Sequence, residues 1–226
     1  MFDTFADAPT RAGFKPRRKG DFPTLGYLAL DWMTTYLSRP TVTYRAPFEP
    51  TREQAEFLLK WYRLDPITGE RVYRRGVIQR SKGWGKSPFL AAIAAFEALG
   101  PCRFAGWDAE GQPVGQPWNV ERKVEITLLA VSEEQTRNAF EPMKEMMNGD
   151  NLLYAYPGVE VLETRILLPY NGLIMPRTSS ARSLEGKPQL FTIADQTETW
   201  VPSNGGDRLG AVAKRNLSKV DGTLLE

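Results

Sequence analysis

The chain has 226 residues, 42% hydrophobic and 25% charged, with a formal net charge of +2, which fits one α/β domain with a buried core, or a domain plus an arm. It has no histidine and one cysteine, Cys102, so Ser–His hydrolysis, histidine general bases, most zinc sites and an internal disulfide are excluded. No apolar run reaches the ~20 residues that span a bilayer, the first residues lack a signal-peptide layout, and the near-neutral charge does not mark a nucleic-acid binder.

Residues 1–24, rich in Pro, Gly and charge, read as a flexible lead. The cluster Lys15-Pro-Arg-Arg-Lys19 lies in it, and residues 1–45 hold seven Lys/Arg against four Asp/Glu. The cluster is either a solvated tail or an arm that touches DNA phosphates. Residues 26–37 have the apolar spacing of a short amphipathic helix. Pro40, Pro47 and Pro50 break the chain. A helix follows over 51–62, with Thr51 as N-cap and Gln54 completing a capping box. Residues 72–79 read as a strand, 80–87 as a Gly-rich turn and 88–99 as a helix. Residues 100–122 read as a loop-rich insert. A strand at 124–131 leads to a helix over 132–147, capped by Ser132 and bent near Pro142. Residues 164–176 read as a hairpin with Asn171-Gly172 at its turn. A buried strand at 189–195 ends in Asp195, a helix covers 207–217, and a strand-like segment begins at Gly222.

Alternating strands and helices predict an α/β fold of the P-loop type. Its sheet is mainly parallel and flanked by helices, behind an N-terminal helical arm. The expected division is 1–45 as arm and short helix and 46–226 as the P-loop domain. The chain stops as a new apolar segment begins and reads as a fragment.

The run Arg80-Ser-Lys-Gly-Trp-Gly-Lys-Ser87, between a strand and a helix, has the form of a phosphate-binding loop, or Walker A motif. Free backbone N–H groups and the positive end of the helix would hold phosphate oxygens. Lys86 would reach the β- and γ-phosphates of ATP, and the Ser87 hydroxyl would bind Mg²⁺. The nucleotide-binding set is Arg80, Ser81, Lys82, Gly83, Trp84, Gly85, Lys86 and Ser87. The usual pattern has Gly at position 80, where this chain has Arg. Arg80 is either a cation for the γ-phosphate or an exposed strand-end charge. Trp84 packs on the base or ribose, or on a neighbouring subunit. Asp195, ending a strand, would hold the Mg²⁺ water shell, and is otherwise a turn-forming Asp. Gln196 stands where a water-activating Glu is usual. A neutral amide orients water but cannot take its proton, so Glu198 is the expected base, the other reading being an exposed loop acid.

Six pieces occur in a familiar order: Thr24-Leu-Gly-Tyr-Leu-Ala-Leu-Asp-Trp-Met33, Phe48-Glu-Pro-Thr-Arg-Glu-Gln54, Lys82-Gly-Trp-Gly-Lys-Ser87, Ala130-Val-Ser-Glu-Glu-Gln135, Ser179-Ser-Ala-Arg-Ser-Leu-Glu-Gly186 and Ile193-Ala-Asp-Gln-Thr-Glu-Thr-Trp200. Together they resemble the ATPase portion of the large terminase subunit of tailed bacteriophages, the motor that packages DNA into procapsids. The resemblance is greatest to the versions in phages of actinobacteria. It implies that Gln54 reads adenine, an alternative to its capping role. It puts Lys82 in the place of the family's catalytic Arg, near the γ-phosphate. It further implies a homo-oligomeric ring in the host cytoplasm, outside the virion and away from membranes, working on double-stranded DNA with a portal protein and a small terminase subunit. The family's coupling motif and nuclease domain would lie downstream, so DNA cleavage is not expected of this chain. The other readings are a non-hydrolysing nucleotide-binding assembly module, with Gln196 marking a weakened site, and a P-loop small-molecule kinase.

Overall fold

The structure, a computed structural model, describes residues 13–40, 46–178, 189–217 and 220–226. The quoted segment Ser179–Gly186 lies outside these. Seven strands form one sheet in the order β1-β9-β8-β4-β7-β6-β5. They are β1 (Arg75–Gly76), β4 (Glu125–Ala130), β5 (Glu160–Val161), β6 (Ile166–Leu168), β7 (Gly172–Thr178), β8 (Phe191–Ala194) and β9 (Thr223–Leu225). The five strands from β1 to β7 in that order run parallel, and β6 and β5 extend the sheet antiparallel. The flanking helices are α1 (Gly26–Tyr36), α2 (Arg52–Trp61), α3 (Lys86–Leu99), α4 (Glu133–Met147), α5 (Asp150–Ala155) and α6 (Gly206–Leu217). A mainly parallel sheet between helices is the fold expected from the alternation. Among the described residues no helix is long and apolar enough to cross a membrane.

The central strands are buried on both faces, which is why Ile126, Leu128, Leu129, Phe191 and Ile193 form near-continuous apolar runs. α3 is Ala-rich and, apart from Glu97, apolar along Phe89–Leu99, all of which is buried. Covering Phe89, Leu90, Ile93 and Phe96 stabilises the fold by about 1.5–3 kcal/mol each. α1 shares this core through Leu25, Ala29, Trp32 and Met33.

Several local expectations are corrected. The strand expected over 72–79 is only Arg75–Gly76 in regular form, although Ile78 N–H also bonds the Glu226 carbonyl at 2.7 Å. The insert at 100–122 contains an antiparallel pair, β2 (Arg103–Trp107) and β3 (Pro113–Gln116). The described part of the supposed flexible lead docks on this pair. Phe14 packs 6.0 Å from Trp107, and Lys15 N–H bonds the Gly111 carbonyl at 3.0 Å. The helix expected over 132–147 is borne out as α4, which contains Pro142 and buries Phe140, Met143, Met146 and Met147. The hairpin turn is Pro169–Asn171, with Tyr170 and Asn171 both left-handed (φ 59° and 61°), and Gly172 already belongs to β7.

Beneath β1 and β9 lies a buried ion pair. Glu97, fully buried on α3, accepts a 2.8 Å hydrogen bond from Arg71 Nη1, and Arg71 stacks on Tyr62 at 4.4 Å. Burial and the Glu97 charge push the Tyr62 phenol and the Cys102 thiol well above their ordinary ranges, so both stay protonated. Glu97→Ala leaves Arg71 uncompensated and should destabilise the protein by about 3–5 kcal/mol. Urea unfolding should show this as a lower midpoint at unchanged slope; an unchanged midpoint would mean the pair contributes nothing.

Candidate functional site

The parallel strands deliver their chemistry at one edge, beyond their carboxyl ends. β1 leads into the Gly-rich loop, β4 leads into Ser132 and α4, and β8 ends at Asp195. The loop turns through Gly83 (φ +92°) and Gly85 (φ +87°). No atom lies within 4 Å of where a Gly83 side chain would point, so glycine is required there by backbone conformation, not by space. Gly85 is the N-cap of α3, and Lys86 and Ser87 form the first turn of that helix. The backbone N–H groups and positive end of α3 therefore face the loop.

Lys86 reaches across to Asp195: Nζ lies 3.1 Å from Oδ1, with the carboxylate 4% exposed and the lysine side chain 26%. The contact is one of charge without hydrogen-bond alignment, and Oδ1 is buried with no hydrogen-bond donor aimed at it among the described residues. A buried, under-satisfied carboxylate oxygen that meets Lys86, the residue before Ser87, fits Mg²⁺, which takes one or two protein oxygens and keeps several waters. The strand ending at Asp195 does not neighbour β1, because β9 pairs with both and lies between them.

Asp195 is held from its own main chain. Its N–H bonds the Leu129 carbonyl at 2.9 Å, and its carbonyl accepts from Trp200 Nε1 at 3.2 Å. Trp200 packs against Leu209 and Val212 of α6, which anchors the loop after β8. Gln196 is left-handed (φ 54°), a strained state for a residue with a side chain. Its Oε1 accepts a 2.8 Å hydrogen bond from Gln135 Nε2, on the α4 turn that Ser132 caps. Gln135 thus joins the site. The sequence signal was its place after the β4 strand, but its partner was invisible. Glu198 is exposed in the following turn, Thr197–Thr199.

The remaining expected residues divide between the loop and α2. Ser81 and Lys82 are exposed, and the Ser81 carbonyl accepts from Trp84 N–H at 3.3 Å. Arg80 donates to Glu53 through Nε at 2.7 Å, so its charge is already paired. Trp84 donates to the other Glu53 oxygen at 2.8 Å and packs edge-on against Phe89. Gln54 forms the expected capping box, with Oε1 accepting from Thr51 N–H at 3.0 Å. Its Nε2 lies 3.6 Å from where a Gly85 side chain would begin, so capping places the amide against the loop. Glu53 had no sequence signal beyond an acidic residue in a first helical turn. A cavity of about 740 Å³ lined by Lys123, Arg165, Tyr170 and Met175 lies at the antiparallel end of the sheet and contains none of these residues.

A double-mutant cycle of Lys86→Met and Asp195→Asn in urea unfolding should give a coupling energy of about 0.5–3 kcal/mol. Strictly additive effects would show that the two groups do not meet.

No family model matches the chain. It is 34% identical over 224 residues to the gene 13 protein of Mycobacterium phage L5, covering 88% of this chain and 37% of that protein. It is 33% identical, with the same coverage, to the gene 13 protein of Mycobacterium phage D29. The chain thus spans 37% of the length of these relatives. Among solved structures it superposes on the large terminase of bacteriophage HK97 with TM-score 0.65 and 18% identity, covering 89% of this chain and 37% of that one. The ATPase domain of the Thermus phage P74-26 large terminase gives TM-score 0.52 and 16% identity over 79% of this chain and 65% of that one. The site described above therefore sits on the fold of phage large-terminase ATPase domains, in a relative of the mycobacteriophage gene 13 proteins.

Proposed function

We propose that this chain is the ATP-hydrolysing portion of a phage large terminase subunit, a motor that moves double-stranded DNA into a procapsid. The observation that carries the reading is Lys86 meeting Asp195 at 3.1 Å, directly after a glycine turn and at a helix N-terminus. Two segments remote in sequence converge on the place where a triphosphate and its metal would lie. The likeness in fold to terminase ATPase domains supports the same reading.

In this reading the loop N–H groups and the α3 N-terminus bind phosphate oxygens. Lys86 exchanges Asp195 for the β- and γ-phosphates. Ser87 and Asp195 hold Mg²⁺, which neutralises phosphate charge when bound. Lys82, exposed on the loop, is the cation available to the γ-phosphate, and Glu198 takes the proton of the attacking water. Arg17, Arg18 and Lys19, exposed on the docked N-terminal segment, contact DNA phosphates. A homo-oligomeric ring, a portal protein and a small terminase subunit complete the machine in the host cytoplasm.

A second reading is favoured by one observation. Gln196 stands at the usual place of the catalytic Glu and is bonded to Gln135, a neutral pair that cannot accept a proton. A nucleotide-binding assembly module would have such a site.

Phosphate release with ATP and Mg²⁺ separates the two. Lys86→Ala should abolish turnover and weaken nucleotide binding. Glu198→Gln should lower turnover by about two to four orders of magnitude while ATP still binds. Full turnover in Lys86→Ala, with the fold intact, would remove the phosphate-loop assignment. No turnover in the parent together with activity in Gln196→Glu would favour the module. For DNA, neutralising Arg17, Arg18 and Lys19 should make the log–log salt slope shallower by up to about 0.9 per lost phosphate contact. An unchanged slope would place those contacts elsewhere.

A further inference from the structure

The first turn of α2 grips the phosphate loop, and nothing in the loop pattern requires this. Glu53 spreads one carboxylate over two loop residues. One oxygen accepts from Arg80 through Nε at 2.7 Å and also through Nη2, and the other accepts from Trp84 Nε1 at 2.8 Å. The Trp84 ring is pinned on its apolar side as well. It meets Phe89 edge-on at 5.6 Å, and Phe89 meets Phe57, one turn along α2 from Glu53, at 5.7 Å. Gln54, 4% exposed, sets its Nε2 against Gly85. The loop is thus tied to α2 at residues 80 and 84, with Gln54 close against Gly85, and Ser81, Lys82 and Gly83 span the gap between the two ties.

We propose that Glu53 is a positioning residue of the phosphate loop: through Arg80 and Trp84 it holds residues 80–85 in their nucleotide-receiving shape before nucleotide arrives. This deepens the ATPase reading and rests on it. The need is entropic. A loop with two left-handed glycines and an exposed middle is free to take many shapes, and each residue ordered on binding weakens affinity. Glu53 is itself half-exposed, so its ion pair adds little to global stability. Its effect is geometric, because one rigid carboxylate fixes the distance between two loop residues. The Trp84 indole N–H and the Arg80 guanidinium hold the Glu53 carboxyl below the usual range, so the link is charged at neutral pH. The same contact occupies Arg80 and leaves Lys82 as the loop cation with no partner among the described residues.

The test compares the parent chain with Glu53→Ala and Glu53→Gln. Glu53→Gln keeps an acceptor for the indole but loses the charge for Arg80. Amide hydrogen exchange without nucleotide should accelerate across residues 80–85 in Glu53→Ala, and by less in Glu53→Gln, with the central strands unchanged. With ATP, KM should rise about 5- to 10-fold at nearly constant kcat, because what is lost is ground-state ordering shared by the transition state. Parent-like exchange over 80–85 in both variants would overturn the proposal. So would a fall in kcat at unchanged KM, which would place Glu53 in the chemistry instead. If Glu53→Ala does not fold, Glu53→Gln carries both measurements. If the parent binds no nucleotide, the ATPase reading fails, while exchange over 80–85 still decides whether Glu53 orders the loop.

Discussion

A carboxylate at the end of a buried strand sets the terms for the whole active edge. Asp195 is almost completely shielded from water, and an isolated ionised carboxylate there would be strongly unfavourable. Lys86 offsets it, and does so only because α3 begins at the right height on the adjoining layer. That height is fixed by the glycine turn, which itself needs left-handed backbone at Gly83 and Gly85. One electrostatic requirement thus couples the β8 strand, the loop and the first turn of α3.

The supporting shell has two halves of different character. On the α2 side, the grip on the loop combines a charged link, a capping amide and a row of aromatic rings. On the β4 side, Gln135 and Gln196 pair as neutral amides beside Asp195, with Gln196 in a strained left-handed conformation. The first half shapes the pocket. The second stores strain at Gln196, next to the buried carboxylate.

Farther from the site, the Arg71–Glu97 pair fastens the base of the sheet edge. Arg71 also touches Thr223 of β9, at 3.4 Å, so the pair ties α3 to the strand inserted beside β1. Arg75 reinforces that edge through a two-pronged contact with Glu226. The short β1 is therefore held by its backbone bonds to β9 and by side chains reaching across it, and the loop that follows starts from a fixed point.

Local patterns were legible in the amino-acid sequence because local physics decides them. A glycine turn opening an apolar helix, the Thr51/Gln54 capping box and an apolar strand ending in Asp195 depend on neighbours within a few residues. The α/β alternation and the parallel sheet follow from the same short-range signals. Strand order does not. Buried parallel strands read alike, so nothing in residues 223–225 announced that they would separate β1 from β8. The β2–β3 pair was hidden by its Gly and Pro content, and the N-terminal segment by its charge. Glu53 and Gln135 look like ordinary first-turn polar residues of their helices. Only the packing of those helices against the sheet turns one toward Arg80 and Trp84 and the other toward Gln196. Side-chain partners distant in sequence are chosen by the tertiary fold, because their contact energies come into play only after the backbone has brought them together.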